Sequence, residues 1–77
     1  MEQITVKMQK LKSGWIVSTA YDSNGNVLLY ADGTTLGHSS SSEDWARHDM
    51  IEFKKERYNE LFPNGWEVNF EFIDKDK

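Results

Sequence analysis

Apolar and polar residues alternate from the start of the chain. Ile4, Val6 and Met8 interleave with Thr5, Lys7 and Gln9. A period of two sends successive side chains to opposite faces, so a first strand is expected from about Gln3 to Leu11. Lys12-Ser13-Gly14 is a turn. Trp15 to Tyr21 is rich in β-branched and aromatic residues and reads as a second strand. Asp22-Ser23-Asn24-Gly25-Asn26 has Asp at a turn entry and a Gly able to take positive φ, a hairpin signal. Val27 to Ala31 is the expected third strand, and Asp32 to Ser42 a polar loop. Near the end, Trp66, Val68, Phe70 and Phe72 alternate with Glu67, Asn69 and Glu71, the cleanest strand pattern in the chain. Asp74 to Lys77 is a charged tail expected to fray.

The side of the sheet that faces the core depends on loop length. A two-residue first turn and a three-residue second turn place Ile4, Val6, Met8, Trp15, Val17, Tyr21, Val27 and Leu29 together. This register gathers the most apolar mass and is the expected one. It leaves Leu11, Ile16, Ala20, Leu28 and Tyr30 on the opposite face. A slip of one residue would exchange the two sets within a strand.

Between loop and last strand lies a helical pattern, expected from about Glu43 to Phe62. Ser40 and Glu43 have capping-box spacing, and Ser41 and Ser42 are also suitable N-caps. Pro63 stops the helix and Asn64-Gly65 turns the chain. At about 100° per residue, Ala46, Met50, Phe53, Arg57 and Leu61 form one stripe, with Ile51, Tyr58 and Phe62 beside it. Arg47 and Lys54 sit between the stripes, where their stems can cover apolar surface. Asp49, Glu52, Glu56 and Glu60 lie opposite as an acidic ridge. Like charges four residues apart cost a few tenths of a kcal/mol per pair. Glu52 with Lys55 and Glu43 with Arg47 offset part of this. The default for such a ridge is a solvated face, and the alternative is a docking surface for a basic partner. Trp45 lies beside it, suited to packing at the core margin or to anchoring a partner.

The expected fold is therefore α+β, in the order β-β-β-α-β. A four-stranded mixed sheet carries one helix on one face, in a single domain over 1–77 with an ordered core of about 3–73. The last strand is parallel to the first if it lies beside it. No internal repeat or linker is read.

Composition narrows the function. The 77 residues are 38% hydrophobic and 29% charged, too apolar for disorder and too short for two cores. The absence of Cys excludes disulfides, thiolate metal sites and thiol nucleophiles. No apolar run approaches a membrane span, and Met1 to Thr5 lacks the basic start and apolar stretch expected of a secretion signal. With no Cys, a reducing cytoplasm is the expected default. The net charge of −4 falls in the second half of the chain. It argues against nucleic acid as the partner and suits a basic protein surface better.

No group of residues reads as catalytic. Asp22, Asn24 and Asn26 match the first ligands of a calcium loop, but Val27 and Gly33 stand where Gly and Glu are needed, so the segment is a turn. Asp44, His48 and Glu52 are one helical turn apart and offer only a weak surface metal contact. A Ser-rich loop beside His38 lacks the strand-Ser-helix elbow of a nucleophile. No metal or cofactor is expected. A small non-enzymatic interaction protein follows, with partner-binding residues Trp45, Asp49, Glu52, Glu56 and Glu60. Leu11, Ile16, Leu28 and Tyr30 offer a second interface, to a partner or to a second copy in a homodimer. Such a make-up suits an inhibitor or accessory factor, for instance a phage or mobile-element protein docking on a nucleic-acid-handling complex. The competing expectation is single-stranded nucleic-acid binding by Lys7, Lys10 and Lys12 with Trp15, Tyr21 and Tyr30.

Overall fold

The computed structural model describes residues 1–73, so the expected tail from Asp74 lies outside the described residues. Four strands and two helices follow one another along the chain: β1 (Glu2–Lys10), β2 (Ile16–Tyr21), β3 (Gly37–Ser40), α1 (Glu43–Glu52), α2 (Lys55–Leu61) and β4 (Trp66–Ile73). The fold is α+β. The sheet order is β3-β2-β1-β4, with β4 parallel to β1 and the other pairs antiparallel. The helices cover one face. On it, Ile4, Val6, Met8, Ile16, Ala20, Leu28 and Leu36 meet Ala46, Met50 and Tyr58 in the buried core.

The expected register is correct for β1 and inverted for β2. Leu11 N–H donates to Trp15 C=O at 2.8 Å, and Val6 pairs with Ala20. The first hairpin loop is therefore three residues, Lys12-Ser13-Gly14, and not two. That single extra residue turns Ile16, Ser18 and Ala20 inward and leaves Trp15, Val17 and Tyr21 on the bare face. The second hairpin has the expected three-residue loop, so the inversion carries on to Val27, Leu28 and Leu29. Leu28 is buried, and Val27 and Leu29 are exposed.

Val27 to Ala31 does not form the third strand. It contributes only single bridges, Tyr21 to Val27 and Leu29 to Thr35. Residues 20–28 and 28–36 instead trace one path twice, eight residues apart. Asp22 N–H bonds Asn26 C=O in the first and Tyr30 N–H bonds Thr34 C=O in the second. Gly25 and Gly33 hold φ near +85° and +89° at matching positions, as the Gly of a three-residue hairpin loop must. This is an internal repeat that the sequence reading missed. Three buried residues close the ends into a ring: Ala20 N–H bonds Leu36 C=O, Leu36 N–H bonds Leu28 C=O, and Leu28 N–H bonds Ala20 C=O. The double turn returns the chain to β2 at Gly37, inside the expected polar loop. A Cβ on Gly37 would lie 2.7 Å from the Ser18 carbonyl, so β3 can approach only as glycine there.

The expected single helix is broken. Lys54 N–H bonds Ile51 C=O at 3.3 Å, one residue short of the helical partner. The Met50 carbonyl is thereby released, and the buried Tyr58 hydroxyl donates to it at 2.8 Å. The break rotates α2 so that Tyr58 enters the core, where its ring meets Trp66 at 4.8 Å between centroids. Burial pushes the Tyr58 phenol well above its ordinary pKa. Lys54 is also drawn in, donating to the Tyr30 hydroxyl. Phe53, expected on the core stripe, is left outside at 61% exposure.

One core hydroxyl has no partner among the described residues. Ser18 Oγ is buried beneath α1 without a hydrogen bond. An unpaired buried hydroxyl costs about 1–3 kcal/mol. Ser18→Ala is expected to raise stability by about 1 kcal/mol, read by urea denaturation. A loss of stability would show that the hydroxyl is bonded.

Candidate interaction surface

Ser42 is the N-cap of α1, and its side chain accepts from Trp45 N–H at 3.2 Å. Ser40, the expected capping-box residue, is buried on β3 and donates to Asp49 Oδ2 at 2.8 Å. Asp49 thus points inward and does not belong to the acidic ridge, because α1 is docked on β2 and β3 along that side. The carboxylate gathers both histidines. His48 Nδ1 lies 3.2 Å from Oδ1, and His38 Nε2 lies 3.5 Å from Oδ2.

Above this carboxylate the rings form a continuous surface. Trp45 meets His48 edge-on at 5.4 Å, His48 meets Phe53 at 6.3 Å, and Phe53 meets His38 at 5.4 Å. Trp45 is 57% exposed, so it does not pack at the core margin. Phe53 then leads into a recess of about 250 Å³ lined by Tyr30, Ala31, Glu56, Arg57 and Glu60. Glu52, Glu56 and Glu60 are exposed. Glu52 pairs with Lys55 at 3.2 Å and Glu60 with Arg57 at 3.0 Å, while Glu43 pairs with Arg47 at 2.8 Å. The structure therefore joins Trp45 to Glu56 and Glu60 through Phe53. The two histidines and Phe53 are the members that sequence reasoning did not assign to the surface, and the buried Ser40 supports them from beneath through Asp49.

The Ser40 hydroxyl is the first cause holding the Asp49 carboxyl below its ordinary value of 3.8. Partial burial opposes it, and the contacts with His48 and His38 add to it. The folded pKa thus lies below the unfolded one. The resulting stabilisation is present above about pH 4 and is lost as pH falls through the folded value. Asp49→Asn is expected to lower the melting temperature at pH 7, with a smaller deficit at pH 3. An equal deficit at both pH values would contradict this role.

Ser40, Asp49 and His38 do not have the order of a catalytic relay. The imidazole must stand between Ser and Asp, whereas Ser40 bonds the carboxylate directly and is itself buried. Asp44, His48 and Glu52 do not converge either. Among the described residues no group of three His, Asp or Glu side chains is placed to hold a metal ion. Asp22 accepts the N–H groups of Asn24 and Asn26 at 2.9 Å each, so its oxygens serve its own turn.

The second interface expected at Leu11, Ile16, Leu28 and Tyr30 is not a surface. Ile16 and Leu28 are core residues and Tyr30 packs against the core, because the register is inverted; Leu11 alone is well exposed. The bare sheet face instead presents Trp15, Val17 and Tyr21. The three lysines do not converge on it. Lys7 lies over the Tyr21 ring at 4.8 Å. Lys10, three residues on, has the opposite strand parity, and Lys12 is in the turn. Glu71 and Asp22 line the same recess as Lys7 and Tyr21.

No helix of the described residues is long and apolar enough to cross a membrane. Comparison with known proteins finds no matching family model, no matching curated protein and no matching solved structure.

Proposed function

We propose that this protein is a non-enzymatic interaction module, acting as an inhibitor or accessory factor that docks on a protein with a basic and apolar surface. The observation that carries the reading is the exposed aromatic ridge from Trp45 to Phe53, running into the acidic recess of Glu56 and Glu60. Large aromatic side chains anchor interfaces by filling pockets on the partner. The acids around them select a positive rim and speed encounter. Asp49 acts from below, by holding His48 and His38 against the two anchors. Nucleic-acid binding is the weaker reading, since Lys7 is flanked by acids and the other lysines point elsewhere.

The experiment is affinity capture from source lysate with nuclease treatment. Wild type is compared with the Trp45→Ala, Phe53→Ala double variant. A stoichiometric protein retained by wild type and lost by the variant is the expected result. A bound species that disappears with nuclease, or that the variant retains in full, would overturn the reading.

A further inference from the structure

Among the described residues no strand pairs with the outer edge of β3 or of β4, and the two edges are unlike. β3 presents only four residues, which limits what can pair with it. β4 presents eight, Trp66 to Ile73, in unbroken register with β1 from Glu2–Trp66 to Gln9–Ile73. It contains no Pro or Gly, and no bulge interrupts the pairing. Natural proteins shorten, bulge, cover or charge an exposed edge, because its outward N–H and C=O groups template another strand. Of these devices β4 carries only charge, Glu67 and Glu71.

The two acids also choose the occupant. Both project to the bare face, where Glu67 accepts from Gln3 and Glu71 stands opposite Lys7 of β1, and neither forms an ion pair among the described residues. If two copies paired antiparallel about Asn69, each Glu67 would face the other copy's Glu71, and like charges directly opposite are destabilising. A strand with Lys or Arg at alternate positions meets both acids favourably. Its intervening residues lie on the helix side, where Val68 and Phe70 are half-buried and Phe72 is 43% exposed. That side is incompletely covered: Trp66 is held by Tyr58 and by Asn59, which its indole N–H reaches at 2.7 Å, and Phe70 by Arg47 at 5.0 Å. Among the described residues Phe72 has no such cover and can take an apolar neighbour.

We infer that the β4 edge is a second binding site, which takes an extended protein segment of alternating basic and apolar residues as a fifth strand. The main-chain bonds supply affinity, and Glu67 and Glu71 supply the choice of sequence. This site lies at the opposite edge of the sheet from β3, against which α1 and the Trp45–Phe53 ridge are docked, so the two can be tested apart.

The test uses capped eight-residue peptides and amide chemical-shift mapping of the whole chain. A Val-Lys alternating peptide is expected to shift amides of residues 66–73. It should bind roughly tenfold more tightly than its Val-Glu counterpart at low salt, from two cross-strand charge pairs turned from attraction to repulsion. Glu67→Lys with Glu71→Lys should reverse that preference. A peptide methylated on every backbone nitrogen should not bind, since it cannot donate to a strand. Trp45→Ala with Phe53→Ala should bind the Val-Lys peptide as wild type does. The proposal is overturned by shifts centred away from β4, by equal affinity for the two peptides, by binding of the methylated peptide, or by no binding at all. Dimerisation of the free chain through β4 would overturn it too, by making a second copy the occupant.

Discussion

Tyr58→Ala is expected to destabilise the protein by about 3–5 kcal/mol, the range for deleting a fully buried aromatic side chain. Tyr58 is wholly buried and touches Trp66 of β4 while bonding the Met50 carbonyl of α1. It therefore joins the two helices to the last strand. A domain of this size holds roughly 4–12 kcal/mol in total, so the alanine variant should be largely unfolded at modest denaturant. Tyr58→Phe separates the two roles. It keeps the ring and strands the Met50 carbonyl, at an expected cost of about 1–3 kcal/mol. Urea denaturation of both variants measures this. A phenylalanine variant as stable as wild type would mean that the hydroxyl is not what accommodates the helix break.

The second large effect concerns binding. Trp45→Ala and Phe53→Ala should each weaken the partner complex by about 2 kcal/mol or more, roughly thirtyfold. Stability should change by less than about 0.5 kcal/mol, because both side chains are more than half exposed. That contrast with Tyr58, if measured, would be the signature of a surface kept for a partner. Glu56→Lys with Glu60→Lys should act mainly on the association rate, and more at low salt than at high. Isothermal titration and stopped-flow kinetics on the captured partner separate the two. Variants that lost stability in proportion to binding would instead place Trp45 and Phe53 in the fold.

Much of the fold was legible from residue periodicity. The alternation in β1 and β4 and the α+β class follow from it, whereas it left the pairing of those two strands open and set only their parallel sense once they are neighbours. What failed was local and had physical causes. One residue in the loop at Lys12-Ser13-Gly14 inverted every side chain of β2. The third strand, Gly37 to Ser40, has none of the β-branched or aromatic residues that mark a strand. It forms because a repeated turn delivers it to β2, and that repeat is visible in sequence only as Gly25 with Gly33 and Leu28 with Leu36. The helix break at Phe53 and Lys54 has no Pro or Gly to announce it. It arises from tertiary contacts of Tyr58 and Lys54, and it decides that Phe53 faces outward.

The surface was legible in part for the same reasons. Trp45, Glu52, Glu56 and Glu60 were readable from helical angle and are exposed. Asp49 has the same angle but is covered by β3, a strand that periodicity does not show. Ser40, His38 and Asp49 are brought together only by that strand. Ser40 and His38, two apart, share a strand face, which would have been the available signal had the strand been known.

The most direct measurement is site-specific photocrosslinking in nuclease-treated source lysate. Benzoylphenylalanine is placed at position 45, at position 53 and, as a control, at Asn24 in the turn from Asp22 to Asn26, which is not part of the aromatic ridge. One protein crosslinked from positions 45 and 53 and not from position 24 is the predicted result. Crosslinks of equal yield from all three positions, or from none, would contradict an interaction surface built on Trp45 and Phe53.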